Sequence, residues 1–569
     1  MNAVENKTIF RQQYPINSPD PKFSKDIEAA DLWNKIIHNA WKSAEPGVLF
    51  WDTIIRESLP DCYADLGYAT VSTNPCGEIP LCPYDSCRLL AINLYSYVKN
   101  PFMKDAEFDY ELYKEHVGLA QRMMDDIIDL ELEKIDAILA KIGADPEPDE
   151  LKRVERNLWR NIRKKSEEGR RTGIGITAEG DMLAALGLRY GTIDATDFSV
   201  EVHKTLALEA YKSSTYLAKE RGPFEIYNSD REKNNPFIQR LKAADPVLYN
   251  NMVKFGRRNI ALLTIAPTGT TSLMTQTTSG IEPIFSVFYK RRRKVNPNDL
   301  GTKVTFKDEV GDSWEEFNVF HHKFVDWLRI NGFDPDEVTG MNDTEIESII
   351  RKSPYYKAAA NDVDWVAKVK MQGAIQKWVD HSISVTINLP TDAKEDLVSD
   401  LYLTAWKSGC KGATVYRDGS RAGVLVSGKP EARNERPKRP KVLDCDVIRF
   451  NINEEKWVAF VGLKDNKPYE IFTGIADEEI FPIPKSIIKG KIIKIKDDDG
   501  KTRYDFQYTD KYGYKKTIEG LSHMFKPEFW NYAKLISGVL RHEMPIADVV
   551  NLIQSLRLDS ESINNWKNG

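Results

Sequence analysis

A thiol, a carboxylate and a carboxamide occur within one short segment of this chain, Asn74-Pro75-Cys76-Gly77-Glu78. Proline fixes one backbone dihedral and glycine opens another, so the segment is predicted to be a tight loop tip. Such a tip aims three side chains at one small volume, where a carboxylate can accept a proton and a carboxamide can orient a hydroxyl beside the sulfur. The alternative interpretation is a buried structural cysteine at a turn, because free cysteine is often a small core residue.

A second candidate segment is rich in small hydroxylic residues. It follows the apolar run Ile260–Ile265, is predicted to open a helix, and consists of Pro267, Thr268, Gly269, Thr270, Thr271 and Ser272. Backbone N–H groups at a helix start are free to bind an anion. Taken alone, this run is equally consistent with an ordinary helix N-cap.

Two other chemistries are disfavoured by residue spacing. The segment Gly173–Gly180 imitates a dinucleotide-binding fingerprint but lacks its spacing and its later acidic residue, so a dehydrogenase is disfavoured and barrel-strand packing is predicted. Zinc binding by the cysteines is disfavoured because no Cys-x-x-Cys knuckle is present, and we expect no metal site. The cysteines in question are Cys62, Cys76, Cys82 and Cys87.

Length and composition exclude several classes of protein. At 569 residues the chain is long enough for two or three domains, and its net charge of −5 argues against nucleic-acid binding. Six cysteines are too few for a secreted disulfide scaffold. The N-terminus has no basic region followed by an apolar run, and no apolar stretch reaches the roughly 18 residues that span a bilayer. We therefore expect a cytoplasmic protein with no membrane association.

The predicted elements that position these side chains alternate between helices and short apolar strands. Helices are predicted over residues 25–60, with Leu32, Ile36, Ile37 and Trp41 on one face, over residues 110–170 with a turn at Pro146 and Pro148, and over Phe198–Arg221. Near-continuous apolar runs separated by long helices are typical of parallel strands in an α/β barrel or open sheet. The predicted strands are Gly173–Thr177, Ile260–Ala266, Ser382–Leu389 and Ala413–Tyr416.

The pattern changes after residue 425. Residues 426–441 combine proline with charge and are predicted to be a solvated linker, although the basic residues also leave a nucleic-acid or targeting patch open. Residues 442–569 show short strands with hairpin spacing and then a helix with Ile546, Val549, Val550, Ile553 and Leu556 on one face. We predict a small α+β module there.

The extended run from Asn74 to Leu94, which reads NPCGEIPLCPYDSCRLLAINL, resembles the radical-cysteine loop of ribonucleotide reductases. The resemblance covers roughly residues 1–425 and implies an α/β fold, the second half of a ten-stranded barrel with a central finger loop. It implies that Cys76 forms a thiyl radical that takes a hydrogen atom from the ribose, that Glu78 accepts the proton of the 3′ hydroxyl, and that Asn74 orients the ribose hydroxyls. Cys87 matches one member of the redox cysteine pair that supplies two electrons.

The same resemblance assigns the hydroxylic segment 267–272 to the substrate diphosphate, continued by residues 279–285 and 289–291. The run 409–421 contains only Tyr416, whereas iron-dependent reductases have two adjacent tyrosines there. The chain therefore resembles the adenosylcobalamin-dependent class, and the implied cofactors are adenosylcobalamin and an external dithiol such as thioredoxin.

Parts of the family pattern are absent from this sequence. The family partner of Cys87 lies well upstream of the radical loop, and only 75 residues precede Cys76 here, so we expect that cysteine on a separate N-terminal polypeptide within a homo- or hetero-oligomer. Cys62 is interpreted as structural. A rival hypothesis is a non-catalytic nucleotide-binding or regulatory subunit derived from a reductase.

Overall fold

The structure is a computed structural model that describes residues 1–16, 18–294, 306–307, 313–420, 439–452, 455–476, 483–496, 502–542 and 544–555. Its contacts divide the chain into two compact units, Met1–Gly428 and Lys429–Gly569. Residues 426–438 of the predicted linker lie outside the described residues. Among the residues described, no helix is both long and apolar enough to cross a membrane.

The first unit contains sixteen α-helices and fourteen strands within its described residues. The helices are α1 (Asn2–Glu5), α2 (Ala29–Ser43), α3 (Trp51–Glu57), α4 (Tyr110–Ala144), α5 (Asp149–Gly169), α6 (Glu179–Ala185), α7 (Ile193–Arg221), α8 (Ser229–Glu232), α9 (Pro236–Ala244), α10 (Pro246–Phe255), α11 (Gly269–Thr275), α12 (His322–Ile330), α13 (Pro335–Thr339), α14 (Asp343–Ile350), α15 (Trp365–Gln376) and α16 (Glu395–Lys407). The strands are β1 (Ile9–Tyr14), β2 (Phe23–Glu28), β3 (Val48–Leu49), β4 (Ser72–Thr73), β5 (Pro80–Leu81), β6 (Arg88–Asn93), β7 (Val98–Lys99), β8 (Glu107–Phe108), β9 (Thr172–Thr177), β10 (Phe288–Lys294), β11 (Phe306–Lys307), β12 (Ser313–Phe320), β13 (Thr386–Leu389) and β14 (Gly412–Arg417). Short 3₁₀ helices cover Pro60–Leu66 and Leu94–Tyr97.

Five parallel segments of the first unit lie side by side, in the order β6, β9, 260–265, 382–389 and β14. β6 pairs with β9 and β13 pairs with β14, all in parallel. The segments between them are joined by parallel bridges from Ile174 to Leu263 and from Ile265 to Ile383. Helices connect each segment to the next, as parallel strands require. This is the predicted α/β architecture, with five strands corresponding to half of a ten-stranded barrel.

Two glycines on β9 permit the close packing of this half-barrel. A Cβ at Gly175 would lie 2.1 Å from the backbone oxygen of Thr264, and a Cβ at Gly173 would lie 2.5 Å from the Cys87 Sγ. Since neither distance leaves room for a methyl group, the glycines let strand 260–265 and the Cys87 thiol approach β9. The glycine-rich segment therefore serves strand packing, as predicted, and not dinucleotide binding.

Helix prediction was accurate in the long helices and partly wrong in α2. α4 ends and α5 begins on either side of the predicted proline turn, and Val202, Leu206 and Ala210 of α7 are fully buried. In α2, however, Trp33, Ile37 and Ala40 form the buried face, whereas Leu32 is 41% exposed. Residues 25–28 belong to β2 and residues 48–49 form β3, so the prediction of helix throughout residues 25–60 is wrong at both strands.

The second unit is built on one antiparallel sheet in the order β17-β16-β15-β18-β19-β20. The strands are β15 (Val442–Ile452), β16 (Glu455–Lys464), β17 (Lys467–Ile475), β18 (Lys489–Lys496), β19 (Thr502–Thr509) and β20 (Lys515–Ile518), followed by α17 (Pro527–Arg541) and α18 (Ile546–Ser555). Val447, Phe460, Phe472, Ile492 and Phe506 form its core. The α+β module is as predicted, but β20 and α17 were not, and Leu556 lies outside the described residues.

Candidate active site

The segment around Cys76 is the tip of a short hairpin whose arms are β4 and β5. The tip is closed at Asn74, whose N–H donates to the Ile79 carbonyl at 3.2 Å and whose Oδ1 accepts from the Ile79 N–H at 3.0 Å. Gly77 has φ +79°, a conformation that side chains rarely adopt. The predicted loop tip is therefore present, and the Asn74 amide oxygen is engaged in holding its shape.

The tip is anchored to the strands through the main chain of Glu78. Its carbonyl accepts hydrogen bonds from the Thr264 hydroxyl at 2.8 Å and from the Ser382 N–H at 2.9 Å. Thr264 and Ser382 lie on neighbouring parallel segments of the half-barrel. The hairpin is thus fixed against the middle of the strand array, which places the Cys76 thiol at a defined position.

The Glu78 side chain is buried without a complete set of partners. The residue is 2% exposed, and its Oε2 atom makes no hydrogen bond within the described residues. A buried polar atom left without a partner costs about 1–3 kcal/mol, and more when it is charged. Such a cost is typical of a functional group that waits for a ligand to supply the missing hydrogen bond.

The Cys76 thiol is exposed and stays protonated. Burial of its surroundings, and then the charge of Glu78, raise the pKa of Cys76 above its ordinary value. Because both effects disfavour the thiolate, the sulfur is suited to transfer of a hydrogen atom and poorly suited to nucleophilic attack.

A cavity of about 560 Å³ brings Cys76 together with the hydroxylic segment. Its wall includes Pro75, Cys76 and Gly77 on one side and Pro267, Thr268 and Gly269 on the other. The volume is in the range of small-ligand sites. Asn74 and Glu78 flank the tip without lining the cavity, and Thr270, Thr271 and Ser272 lie on α11, outside the wall.

The hydroxylic segment forms the start of α11. Thr268 is buried, its hydroxyl contacts the Thr177 hydroxyl at 2.9 Å, and it accepts from the Gly280 N–H at 2.8 Å. Ser272 donates to the Gly269 carbonyl and contacts the Ser279 hydroxyl at 2.8 Å. These bonds fix the segment next to residues 278–280, while the first N–H groups of α11 have no partner within the helix.

Cys87 lies outside this cavity, at the start of β6. Its Sγ lies next to Gly173 of β9, and burial raises the pKa of Cys87 to about 12. It is a free thiol. The structure therefore separates Cys87 from the Cys76 cavity wall and does not pair it with another described cysteine.

Two further groups hold the site, and sequence reasoning missed both. Arg171 is fully buried and joins the hairpin base to the strands, contacting Asp85 at 2.8 Å, the Pro80 carbonyl at 3.2 Å and His381 Nε2 at 3.0 Å. An arginine next to an apolar strand run was the available signal, since buried arginine needs paired acceptors.

The second missed group is the ion pair between Glu282 and Lys368. Glu282 lines the cavity and accepts from the Thr386 N–H at 2.6 Å, and Lys368 also donates to the Thr386 carbonyl at 2.6 Å. The pair connects the segment that follows α11 to β13. Glu282 was placed by resemblance in the substrate loop, but its lysine partner carries no sequence signal.

Comparisons with known proteins identify relatives of both units. Residues 2–416 match the family described as ribonucleotide reductase, barrel domain, and residues 443–569 match the family described as NrdJ homologue C-terminal domain. The chain is 30% identical over 431 residues to the vitamin B12-dependent ribonucleoside-diphosphate reductase of Thermoplasma acidophilum. The match covers 75% of this chain and 47% of that protein. It is also 30% identical over 440 residues to the enzyme of the same name from Mycobacterium tuberculosis, covering 76% of this chain and 52% of that protein.

A solved structure, the Actinobacillus ureae class Id ribonucleotide reductase alpha subunit, matches with a TM-score of 0.46 and 18% identity, over 68% of this chain and 61% of that chain. The chain spans about half the length of the curated relatives it matches.

Proposed function

Since the chain belongs to the ribonucleotide reductase barrel-domain family, we propose that it reduces ribonucleoside di- or triphosphates to 2′-deoxyribonucleotides by radical chemistry. The observation that carries this proposal is the cavity shared by the Cys76 thiol and the hydroxylic segment 267–269. A ribose placed at the sulfur would have its phosphates at the start of α11, where backbone N–H groups favour anions.

In the proposed reaction, the Cys76 sulfur, as a thiyl radical, takes the hydrogen atom from the 3′ carbon. Glu78 Oε2, which makes no hydrogen bond in the described part of the chain, accepts the proton of the 3′ hydroxyl. The Asn74 Oδ1 accepts a hydrogen bond from the Ile79 N–H, so Asn74 orients the ribose through its side-chain amide nitrogen. The 2′ hydroxyl then leaves as water with a proton from one of two thiols, and the two thiols become a disulfide as they supply two electrons and the other hydrogen to the 2′ carbon. Cys76 finally returns its hydrogen atom to the 3′ carbon and Glu78 returns the proton to the 3′ oxygen, which restores the thiyl radical.

We propose adenosylcobalamin as the cofactor, in line with the printed names of the two enzymes above, which are vitamin B12-dependent. The Cys76 cavity adjoins a second cavity of about 720 Å³, and the two share the wall residues Glu45, Ser279, Glu282, Thr386 and Thr414. The second cavity is lined largely by apolar side chains and contains the buried Tyr416 hydroxyl, which has no hydrogen-bond partner within the described residues, so its lining fits an organic group with a polar edge beside the sulfur. When bound, this cofactor supplies the radical for Cys76.

Cys87 is proposed as one of the two reducing thiols, with its partner cysteine on a neighbouring N-terminal reductase segment. β6, which follows Cys87, is paired on one side only within the described residues, and Leu89 is 50% exposed there. An unpaired strand edge with exposed apolar side chains favours association with further strands. We propose a homo- or hetero-oligomer completed in this way.

An external dithiol such as thioredoxin would reduce the resulting disulfide. The described cysteines are all free, which suits a cytoplasmic location with a reducing environment.

The test combines the full chain with candidate N-terminal halves of the reductase, adenosylcobalamin, a dithiol and a ribonucleotide, and measures deoxyribonucleotide by chromatography. Cys76→Ala should lower turnover by at least about 10³-fold, as removal of a group that acts directly in the chemical step does, while ribonucleotide binding persists. Cys62→Ala is the matched control, since Cys62 lies away from the cavity against the Ser58 carbonyl. Retained turnover in Cys76→Ala would exclude the thiyl role, and effector binding without any product would favour the non-catalytic rival.

A further inference from the structure

A carboxyl group and an imidazole face each other in the core of the first unit, and the proposed reaction uses neither. Glu179 is the first residue of α6, His203 lies on α7, and both residues are fully buried. The Glu179 Oε2 lies 3.5 Å from the His203 Nε2. Within the described residues, the two Glu179 oxygens and the His203 Nε2 have no hydrogen-bond partner closer than this. The two side chains can therefore satisfy only each other.

Helix α7 itself sets the tautomer of His203. The Nδ1 atom lies 2.8 Å from the Ser199 carbonyl oxygen. Because a carbonyl oxygen only accepts, Nδ1 carries a proton and donates it to this bond. The neutral ring therefore presents the lone pair of Nε2 to Glu179.

An ionised Glu179 beside this lone pair would be a buried negative charge without compensation. The other groups close to it are the Ser199 hydroxyl on α7, the Tyr113 hydroxyl on α4, and Tyr190 before α7. Among the described residues, no lysine or arginine acts on Glu179. An unpaired buried charge is strongly unfavourable. Burial accordingly raises the pKa of Glu179 above its ordinary value, and this is the largest effect on that group.

We propose that Glu179 is protonated in the folded protein and that it donates this proton to His203 Nε2, so that the two side chains form a neutral pair. A shift of about half an ångström brings the two atoms to ordinary hydrogen-bond distance. The acid O–H then meets the one free acceptor of the ring, and the pair needs no cation.

The main chain at the start of α6 supports the hydroxylic segment. The Glu179 N–H donates to the Gly280 carbonyl at 3.3 Å, and the Ala178 N–H donates to the Thr278 carbonyl at 2.9 Å. The Gly280 N–H donates in turn to the Thr268 hydroxyl at 2.8 Å. Ala178 has φ +70°, which a non-glycine residue keeps only where its surroundings enforce it.

Glu179 is thus a positioning residue. Its side chain fixes the start of α6 against α7, and its main chain fixes the segment that lines the Cys76 cavity. The consequence for substrate rests on the proposed function, in which this segment binds the phosphates. The protonation of Glu179 does not rest on it.

Infrared spectroscopy of the full chain tests the protonation of Glu179. The C=O stretch of a protonated carboxyl is separate from the carboxylate bands, and at pH 8 exposed Asp and Glu residues are ionised. We expect a protonated-carboxyl band at pH 8 that is lost in Glu179→Gln. The band should persist in Glu519→Gln, the control, because that carboxylate is 69% exposed and contacts Arg503. Absence of the band from the unaltered chain, or its full retention in Glu179→Gln, would overturn the proposal.

Hydrogen–deuterium exchange at one fixed pH tests the positioning role without substrate. In His203→Leu the acid loses its acceptor, and amides of residues 268–280 should exchange about tenfold faster, as loss of one buried hydrogen bond implies. Glu179→Gln should stay within about twofold of the unaltered chain, because its amide can donate to His203 Nε2 as the acid does. His38→Leu is the matched control, since His38 is half exposed on α2 and contacts Glu395 at 2.9 Å.

Equal acceleration in Glu179→Gln and His203→Leu would show that the segment needs a carboxylate, and unchanged exchange in His203→Leu would show that the pair does not support the segment. Either result contradicts the proposal. The infrared spectrum of the unaltered chain decides the protonation of Glu179 even if a variant fails to fold.

The reconstituted reductase assay separates this inference from the proposed function. His203→Leu should raise KM for a ribonucleoside diphosphate about tenfold while kcat changes little, because the segment binds phosphate and does not take part in the chemical step. Expected infrared and exchange results without any deoxyribonucleotide would remove only the reductase proposal. Turnover by a chain in which Glu179 is ionised would remove only the neutral pair.

Discussion

Glu470 in the second unit and Glu78 in the first are both buried carboxylates, and the two differ in how the protein satisfies their hydrogen bonds. Glu470 of the second unit is fully buried and accepts from Arg439 Nε at 2.9 Å, from Arg439 Nη2 at 2.5 Å and from Arg541 Nη2 at 2.8 Å. Glu78 of the first unit is almost equally buried, yet among the residues that the structure describes its Oε2 has no hydrogen-bond partner.

We propose that this difference separates a carboxylate that supports the fold, Glu470, from one that supports a reaction, Glu78. Two arginines compensate the charge of Glu470, and removing one member of such a buried cluster leaves the others uncompensated. Glu78 has no such charged partner within the described residues, and in the proposed reaction a substrate group completes its hydrogen bonds. Changes at the two residues should therefore affect different measurements.

The largest expected effect is on turnover of Glu78→Gln. The amide cannot accept the proton of the 3′ hydroxyl, and loss of a general base lowers the rate by about 10²–10⁴-fold. The melting temperature should not fall, because no charged partner is lost. Steady-state deoxyribonucleotide formation and calorimetry check the two expectations, and a variant that is active but unstable would reverse our comparison.

The next effect is on the second unit in Glu470→Leu. We expect a loss of about 3–5 kcal/mol of stability, since two buried guanidinium groups lose their acceptor. Hydrogen–deuterium exchange should accelerate in peptides from β16 and β17 and stay unchanged in β9. Glu519→Leu, at a carboxylate that is 69% exposed and contacts Arg503, is the control and should alter exchange little. Protection that survives in Glu470→Leu would show that the arginines find other acceptors.

The smallest effect is on the reactivity of Cys76. Burial and then Glu78 raise the pKa of this thiol, so its alkylation by iodoacetamide at pH 8 should be slower than that of free cysteine despite its exposure. The rate should rise with pH beyond the ordinary thiol range, because only the thiolate reacts. In Glu78→Gln the carboxylate charge is gone, the pKa falls, and alkylation at pH 8 should be faster. An unchanged alkylation rate in Glu78→Gln would mean that burial alone raises the pKa of Cys76.

Local patterns predicted much of the half-barrel and the hairpin. Proline and glycine flanking Cys76 predicted the tip because they restrict the backbone directly, and continuous apolar runs predicted β9 and β14 because these strands are buried on both faces. β6 was missed, since the run after Cys82 was interpreted as continuing loop. Its apolar residues after Cys87 carry the strand signal.

Contacts between distant residues could not be predicted in this way. Arg171 meets His381 and Lys368 meets Glu282 only after the strands assemble, and no spacing in one sequence encodes such a meeting. In α2, both Leu32 and Trp33 are apolar, and the packing of Trp33 against Ser399, to which its indole donates at 3.1 Å, decides which face is buried.

The anchoring of Glu78 through its carbonyl has a consequence for substitution at that position. Thr264 and Ser382 donate hydrogen bonds to the main-chain carbonyl oxygen of residue 78, an atom that every amino acid has. The position of the hairpin tip therefore does not depend on the side chain at position 78. The main chain of residue 78 thus fixes the position of the tip, while its side chain carries the proposed chemistry. The side chain that we propose as the proton acceptor can therefore be replaced while the neighbouring sulfur keeps its position. A series of replacements at position 78 would then change the chemistry of the site without changing its architecture.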